Sequence, residues 1–278
     1  MIIVSAATGE FGRLVTDRLL DRVPAAEVAV AVRDARKADD LAARGVDVRV
    51  GDYDRPASLR FAFEGADRLL FISSPEVDST RRMTQHRSVI AAARDAGVGT
   101  LAYTGALGAD VSDEGGLADH HATERILIES GVPYIVLRHP IYSDFFINPG
   151  LRAVIESGEL TSSTGGRGLN TATRADLAEA AAAVLTTADH AGTGYNFTGR
   201  LWTYRQLAAV LTELGGRAVE YREVDGDEGI MAMIGPFVRS GAFERQTEDL
   251  ERVLGRPAGT LEDAVAAALE PATAGRHS

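Results

Sequence analysis

Ser5-Ala6-Ala7-Thr8-Gly9-Glu10-Phe11-Gly12 follows directly on the apolar run Ile2-Ile3-Val4 and opens onto the stretch Phe11 to Leu20. An apolar strand, a glycine-bearing bend and a helix, in that order, make the first βα unit of a parallel sheet. Behind the bend, Leu14, Val15, Arg18 and Leu19 fall at helical spacing. Gly9 leaves room for a ligand to approach the backbone, and Gly12 lets the helix lie close to the strand. The helix N-terminus offers amide protons and a partial positive charge, which suits a pyrophosphate. On this reading Ala6, Thr8, Gly9, Glu10, Phe11 and Gly12 border a dinucleotide. The alternative is an ordinary strand–helix turn with two convenient glycines.

Outward from the bend the same rhythm repeats. Strand-like runs lie at Val28 to Val32, Val46 to Val50, Arg68 to Ile72, Thr100 to Tyr103 and Tyr134 to Leu137. Continuous apolar runs suit a sheet covered on both faces, and their alternation with helix-like segments predicts a doubly wound parallel α/β (Rossmann) fold. From about Ile141 the rhythm changes, through Tyr142, Phe145 and Phe146, into a Gly/Ser/Thr-rich loop at Thr161 to Gly168. The expected organisation is a dinucleotide-binding domain at 1–140 and a smaller C-terminal substrate-binding part at 141–278. Within the latter, residues from about 172 to 214 return to the sheet domain.

The chain has 278 residues with 29 lysines plus arginines against 40 acids, a formal charge of −11. That balance argues against nucleic acid or an anionic membrane as the main partner. Without cysteine there is no disulfide framework, thiolate zinc site or cysteine nucleophile. No metal site is expected. Met1 to Ala7 lacks a basic leader, and no run approaches the ~18 apolar residues of a membrane-spanning helix, so a cytoplasmic monomer or homodimer is expected. The patterns of acyl hydrolases, zinc proteases and P-loop phosphotransferases do not occur.

The bend resembles the Gly-x-x-Gly-x-x-Gly turn of the NmrA-like atypical short-chain dehydrogenases/reductases. With Val32-Arg33-Asp34, Gly51-Asp52-Tyr53, Ile72-Ser73-Ser74, Tyr103-Thr104, Leu137-Arg138 and Ala172-Thr173-Arg174-Ala175-Asp176, the chain most resembles the type-2 bacterial NAD(P)H:quinone oxidoreductases. The resemblance implies NADP(H) as cofactor and hydride transfer to a quinone or similar conjugated carbonyl. Ala6 departs from it, standing where the family has its first glycine. If the position needs positive φ, alanine costs roughly 1 kcal/mol there.

The second strand tip reads Arg33, with Arg36 and Lys37 close behind. A cation at that tip fits the 2′-phosphate of NADP(H) where an acid would bond the ribose of NAD; the resemblance gives the same role to Arg33 and Lys37. The alternative is a solvated helix start capped by Asp34. Asp52 and Tyr53, at the next tip, would lie against adenine. Ser73 and Ser74 would border the nicotinamide ribose, and Tyr103 and Thr104 the nicotinamide itself. The alternatives are a simple turn opening the helix at Pro56 for Asp52-Tyr53 and a strand end halted by Pro75 for the two serines. Tyr103 reads equally as a core residue.

The superfamily's usual Tyr-x-x-x-Lys acid is not available here, because Tyr103 is followed by Leu107 and Lys37 is the only lysine. A quinone tolerates that, since it can take protons from water. The remaining acid–base candidates are Tyr103, Tyr142, and His139 at the end of a strand, the last expected to donate a proton near neutral pH. His120, matching the family's His-x-x-Thr-Glu segment, is a substrate-side candidate or a plain helix cap. His139 with Tyr142, Phe145 and Phe146 would form the wall for a flat aromatic acceptor, or the aromatics are hinge packing. Two other functions stay open: an NADP(H)-sensing regulator without turnover, and a reductase or cyclase tailoring a polycyclic metabolite.

Overall fold

The structure is a computed structural model that describes residues 1–226 and 228–270. Its strands in chain order are β1 (Ile2–Ser5), β2 (Val28–Val32), β3 (Asp47–Val50), β4 (Arg68–Phe71), β5 (Thr100–Ala106), β6 (Tyr134–His139), β7 (Ile141–Tyr142), β8 (Glu159–Ser162), β9 (Leu169–Ala172), β10 (Thr193–Asn196), β11 (Leu201–Trp202) and β12 (Glu220–Glu223). The helices are α1 (Glu10–Leu20), α2 (Asp39–Ala43), α3 (Pro56–Ala62), α4 (Ser79–Asp95), α5 (Ala118–Glu129), α6 (Leu151–Ser157), α7 (Arg174–Thr186), α8 (Tyr204–Gly215), α9 (Met231–Arg239), α10 (Asp249–Leu254) and α11 (Leu261–Leu269).

The chain divides into two compact units. The first comprises Met1–His139, Arg174–Phe197 and Asp249–Arg256. Its sheet runs β3-β2-β1-β4-β5-β6-β10, and every neighbouring pair is parallel. Successive residues of the central strands point to opposite faces, yet both sets are buried: Ile3 and Val4, Leu69 and Leu70, Leu101 and Ala102 are all at zero exposure. Helices therefore cover both faces, which is why these strands are continuously apolar. One layer of core joins Ile3, Leu69, Phe71, Leu101 and Tyr103 to Leu59 of α3, Val89 and Ile90 of α4 and Leu127 of α5. A second helix pair, α1 with α7, is joined by α10.

Strand order reverses between β1 and β4: the chain steps outward through β2 and β3, then resumes on the other side. The connections leaving β1 and β4 run to opposite sides of the sheet, and the crevice beyond those two strand ends is where a ligand enters such a sheet.

The second unit holds Pro140–Thr173, Thr198–Glu248 and the chain from Pro257. It has a three-stranded sheet, β11-β9-β7, and a parallel pair, β12-β8. Its core gathers Phe146, Trp202, Leu207, Leu211, Val238 and Val265. Of the expected returning segment 172–214, Arg174–Phe197 lies in the first unit, and Asp249–Arg256 returns to it as well. A capping box of Thr203 and Gln206 starts α8, whose apolar stripe, Leu207 and Leu211, is buried in the second unit's core. No helix among the described residues is long and apolar enough to cross a membrane.

Candidate functional site

A cleft of about 550 Å³ opens at the carboxyl ends of β1 to β4. The bend after β1 forms its floor through Ala6, Thr8, Gly9, Glu10, Phe11 and Gly12. Ala6 takes φ +50°, a left-handed conformation that alanine adopts only with strain. Its carbonyl accepts the Gly9 amide at 3.1 Å and so closes the turn. Gly12 is fixed by contact: a Cβ there would meet Ala7 Cα at 2.7 Å and the Ala6 carbonyl oxygen at 2.8 Å. Gly9 is different, because its added Cβ would sit 3.4 Å from that oxygen, with φ at −74°. As N-cap it offers no side chain to the first-turn amides of α1, which stay available to a ligand.

The walls come from the next three tips: Arg33 after β2, Asp52 and Tyr53 after β3, Ser73 and Ser74 after β4. The Tyr53 hydroxyl stitches them together, donating to the Ile72 carbonyl at 2.8 Å and bonding Ser5 Oγ. Burial pushes that hydroxyl's pKa up, so Tyr53 offers the cleft a ring and no charge. The Ser73 amide bonds Thr104 Oγ1 at 2.9 Å, and the Ser74 amide bonds Nε2 of the buried His86 at 3.0 Å. Thr104 thus acts beneath the wall, itself buried.

Charge in the cleft is largely paired before any ligand arrives. Glu10 lies 3.6 Å from Arg174, Asp52 3.8 Å from Arg55, and Asp54 and Glu76 lie 2.8 and 3.2 Å from Arg81. Arg33 makes no ion pair among the described residues and is exposed at the rim. Arg36 is committed to Asp34 through two guanidinium bonds of 3.0 and 2.9 Å. Lys37 is exposed on the same turn but lies outside the cleft lining.

Several expected site residues lie elsewhere. Tyr103 is fully buried in the core layer under α4 and α5, outside the cleft lining. Its hydroxyl bonds His120 Nδ1 at 2.8 Å, and Arg82 donates to Nε2 of the same ring at 2.8 Å. Burial raises the Tyr103 pKa, and burial with the Arg82 charge lowers His120 to about 3. His120 caps nothing, since α5 is preceded by Leu117 without a side-chain cap. The expected proton donation by His139 is corrected by its surroundings. The ring is 6% exposed, edge-on to Phe11 and stacked on Phe197. Burial pulls its pKa down to about 3, so it carries no extra proton near neutrality.

In the second unit, Phe146 is core, edge-on to Trp202 at 5.8 Å. Tyr142 and Phe145 stack with an interplanar angle of 2°, and Phe145 is 53% exposed. No group of three or more acids and histidines among the described residues could hold a metal ion.

The cleft also contains residues that the strand tips alone did not point to, chiefly Asp54, Glu76, Arg81, Gln85 and Arg174. Arg81 and Gln85 are one turn apart on α4, a spacing that could have flagged a shared face.

The chain matches the NAD(P)H-binding family over residues 6–188. It is 37% identical to quinone oxidoreductase 2 of Escherichia coli (strain K12), covering 95% of this chain and 97% of that protein. It is 29% identical to an NmrA-like family domain-containing oxidoreductase of Aspergillus flavus, over 83% and 76% of the two chains. Among solved structures, the triphenylmethane reductase of Citrobacter sp. in complex with NADP(H) superposes with a TM-score of 0.90 at 39% identity, covering 97% of this chain and 100% of that one.

Proposed function

This chain belongs to the NAD(P)H-binding, NmrA-like family, and on that premise we propose that it is an NADPH-dependent oxidoreductase acting on quinones or similar flat conjugated acceptors. The observation that carries this reading is the cleft at the sheet's switch point. There an uncapped helix N-terminus faces a rim on which Arg33 stands exposed and, among the described residues, without an ion pair.

The residues present fit a dinucleotide. Gly12 keeps α1 close to the bend, where any side chain would strike backbone, and Gly9 leaves the approach to the first-turn amides open. Those amides would hold the pyrophosphate. Arg33 would fork onto the 2′-phosphate, and Tyr53 with Asp52 would flank adenine. Ser73 and Ser74, fixed through Thr104 and His86, would border the nicotinamide ribose. When bound, NADPH supplies a hydride from its nicotinamide ring.

The protein's own part is then mostly to bind and orient. Tyr103 holds its proton more tightly than a free phenol, and His120 and His139 stay neutral near pH 7, which supports a reaction that does not draw on a Tyr–Lys pair. An acceptor whose reduced form is aromatic and takes protons from water suits such a site. Of the relatives, one is a quinone oxidoreductase and another a triphenylmethane reductase.

The test mixes the protein with NADPH and a simple naphthoquinone and follows loss of the reduced nicotinamide absorbance. Enzyme-dependent loss matched by quinol formation is expected. Tight NADPH binding with no oxidation against a panel of quinones would leave a sensor instead.

A further inference from the structure

Two carboxylates on the adenosine side of the cleft share one guanidinium. Asp54 comes from the loop after β3 and Glu76 from the loop after β4, while Arg81 stands in the first turn of α4. Arg81 donates to Asp54 through Nη2 at 2.8 Å and Nε at 3.4 Å, and its Nη1 lies 3.2 Å from Glu76. Gln85 fixes the same Asp54 carboxylate from the next turn, with Nε2 at 2.9 Å. Those two donors hold the Asp54 carboxyl below its ordinary pKa, and the charges of Arg81 and Arg33 add to the effect.

A guanidinium bonds only in its own plane. With its Nε–Nη2 edge committed to Asp54 and its Nη1 ion-paired with Glu76, Arg81 keeps a flat cationic face for the cleft it lines. Two paired carboxylates leave the trio with net charge −1, which disfavours a phosphate at this point. A planar cation does attract an aromatic ring laid over it. The ring expected here is adenine, between the tips carrying Arg33 and Asp52-Tyr53.

We propose that Arg81 is the platform on which the cofactor's adenine stacks, held flat by Asp54, Glu76 and Gln85; this role rests on the NADPH reading of the cleft. The side chain is 59% exposed, so its replacement leaves the core intact.

Calorimetric titration with 2′,5′-ADP, 5′-AMP and reduced nicotinamide mononucleotide, on the parent protein, Arg81→Ala and Arg81→Lys, tests it. Arg81→Ala is expected to weaken 2′,5′-ADP and 5′-AMP by a similar factor, about five- to tenfold, and to leave the nicotinamide fragment unchanged. Arg81→Lys, which keeps charge without the plane, is expected to stay close to Arg81→Ala. A loss confined to 2′,5′-ADP, or full recovery by lysine, assigns Arg81 to phosphate and overturns the stacking role. Equal loss for all three fragments, or none, overturns it as well. If the parent itself binds none of them, the NADPH reading falls and this inference with it; if the parent binds and Arg81→Ala binds equally, only the inference falls.

Discussion

Gly9 and Gly12 look alike in the sequence, but the structure separates their duties, and substituting each with alanine tests the separation. At Gly12 a methyl group would sit 2.7 Å from Ala7 Cα and 2.8 Å from the Ala6 carbonyl oxygen, both backbone atoms that cannot rotate away. Overpacking of this kind costs about 1–3 kcal/mol, equivalent to a fall in Tm of roughly 2–5 °C for a chain of this size. At Gly9 the methyl meets only the Ala6 oxygen, at an ordinary 3.4 Å, and φ is −74°, so folding should be unaffected. That methyl would, however, stand where a phosphate must approach the first-turn amides. A displacement that costs even ~1.4 kcal/mol of binding is a tenfold weaker NADPH complex. Thermal melts and NADPH fluorescence titrations on the two variants give the comparison. Gly12→Ala should lose stability, and Gly9→Ala should lose affinity at unchanged Tm. Parent-like NADPH affinity in Gly9→Ala would refute the placement of phosphates on the bend, whatever Gly12→Ala does.

Three further outcomes follow from the same geometry. Arg33→Ala removes the uncommitted cation at the second strand tip and should weaken NADPH by about 2 kcal/mol, roughly thirtyfold, with little change for NADH; equal losses in parallel titrations would remove the 2′-phosphate argument. His86 and His139, drawn down to about 3 in the folded protein, remain neutral where the unfolded chain protonates near 6.5. The unfolded state therefore binds more protons as pH falls through 6.5, and each histidine removes about 2 kcal/mol of stability by pH 5. Urea midpoints should drop over that interval, less steeply in His139→Asn, and an unchanged slope in that variant would contradict the burial account. Glu124→Ala strands Arg138, whose side chain is 12% exposed and bonded to Glu124 at 2.7 and 2.9 Å. A loss of about 3–5 kcal/mol in urea unfolding is expected, and a loss under 1 kcal/mol would mean that Asp110, 3.9 Å away, already suffices as counter-ion.

The sheet was legible because its central strands are buried on both faces and so carry unbroken apolar runs, while edge strand β3, Asp47-Val48-Arg49-Val50, betrays its position by alternating. At the bend the sequence left the backbone of Ala6 as a condition, strained if φ were positive, and Ala6 takes φ +50°. Residues that follow strand ends along the backbone, such as Arg33 and Ser73, come together because the sheet itself aligns the tips. Which face a tip residue takes was the harder matter. Tyr103 shares its parity with Leu101, and period two turns both into the core under α4 and α5. Asp54, Arg81 and Gln85 reach the cleft through the path of a loop and the angle of α4, which depend on tertiary packing that no local pattern encodes.

The fate of the histidines bears on the chemistry as much as on stability. An imidazole at a strand end invites the role of acid, yet His139 is shut between Phe11 and Phe197, and His86 spends its ring on the Ser74 amide and Thr123. His120 receives Arg82 on one nitrogen and faces Tyr103 on the other, so a second proton would be placed against a guanidinium. Each is held in the neutral form by its neighbours and by loss of water. What the three do is fix walls: His86 the loop after β4, His120 the tyrosine of β5, His139 the packing behind the bend. A reductase built this way should show a rate with a saturating quinone that is flat from about pH 6.5 to 8, measured with stability held constant by working well below Tm. A bell-shaped profile centred near 7 would require an acid at a raised pKa, and none of these three side chains, as packed, can supply one.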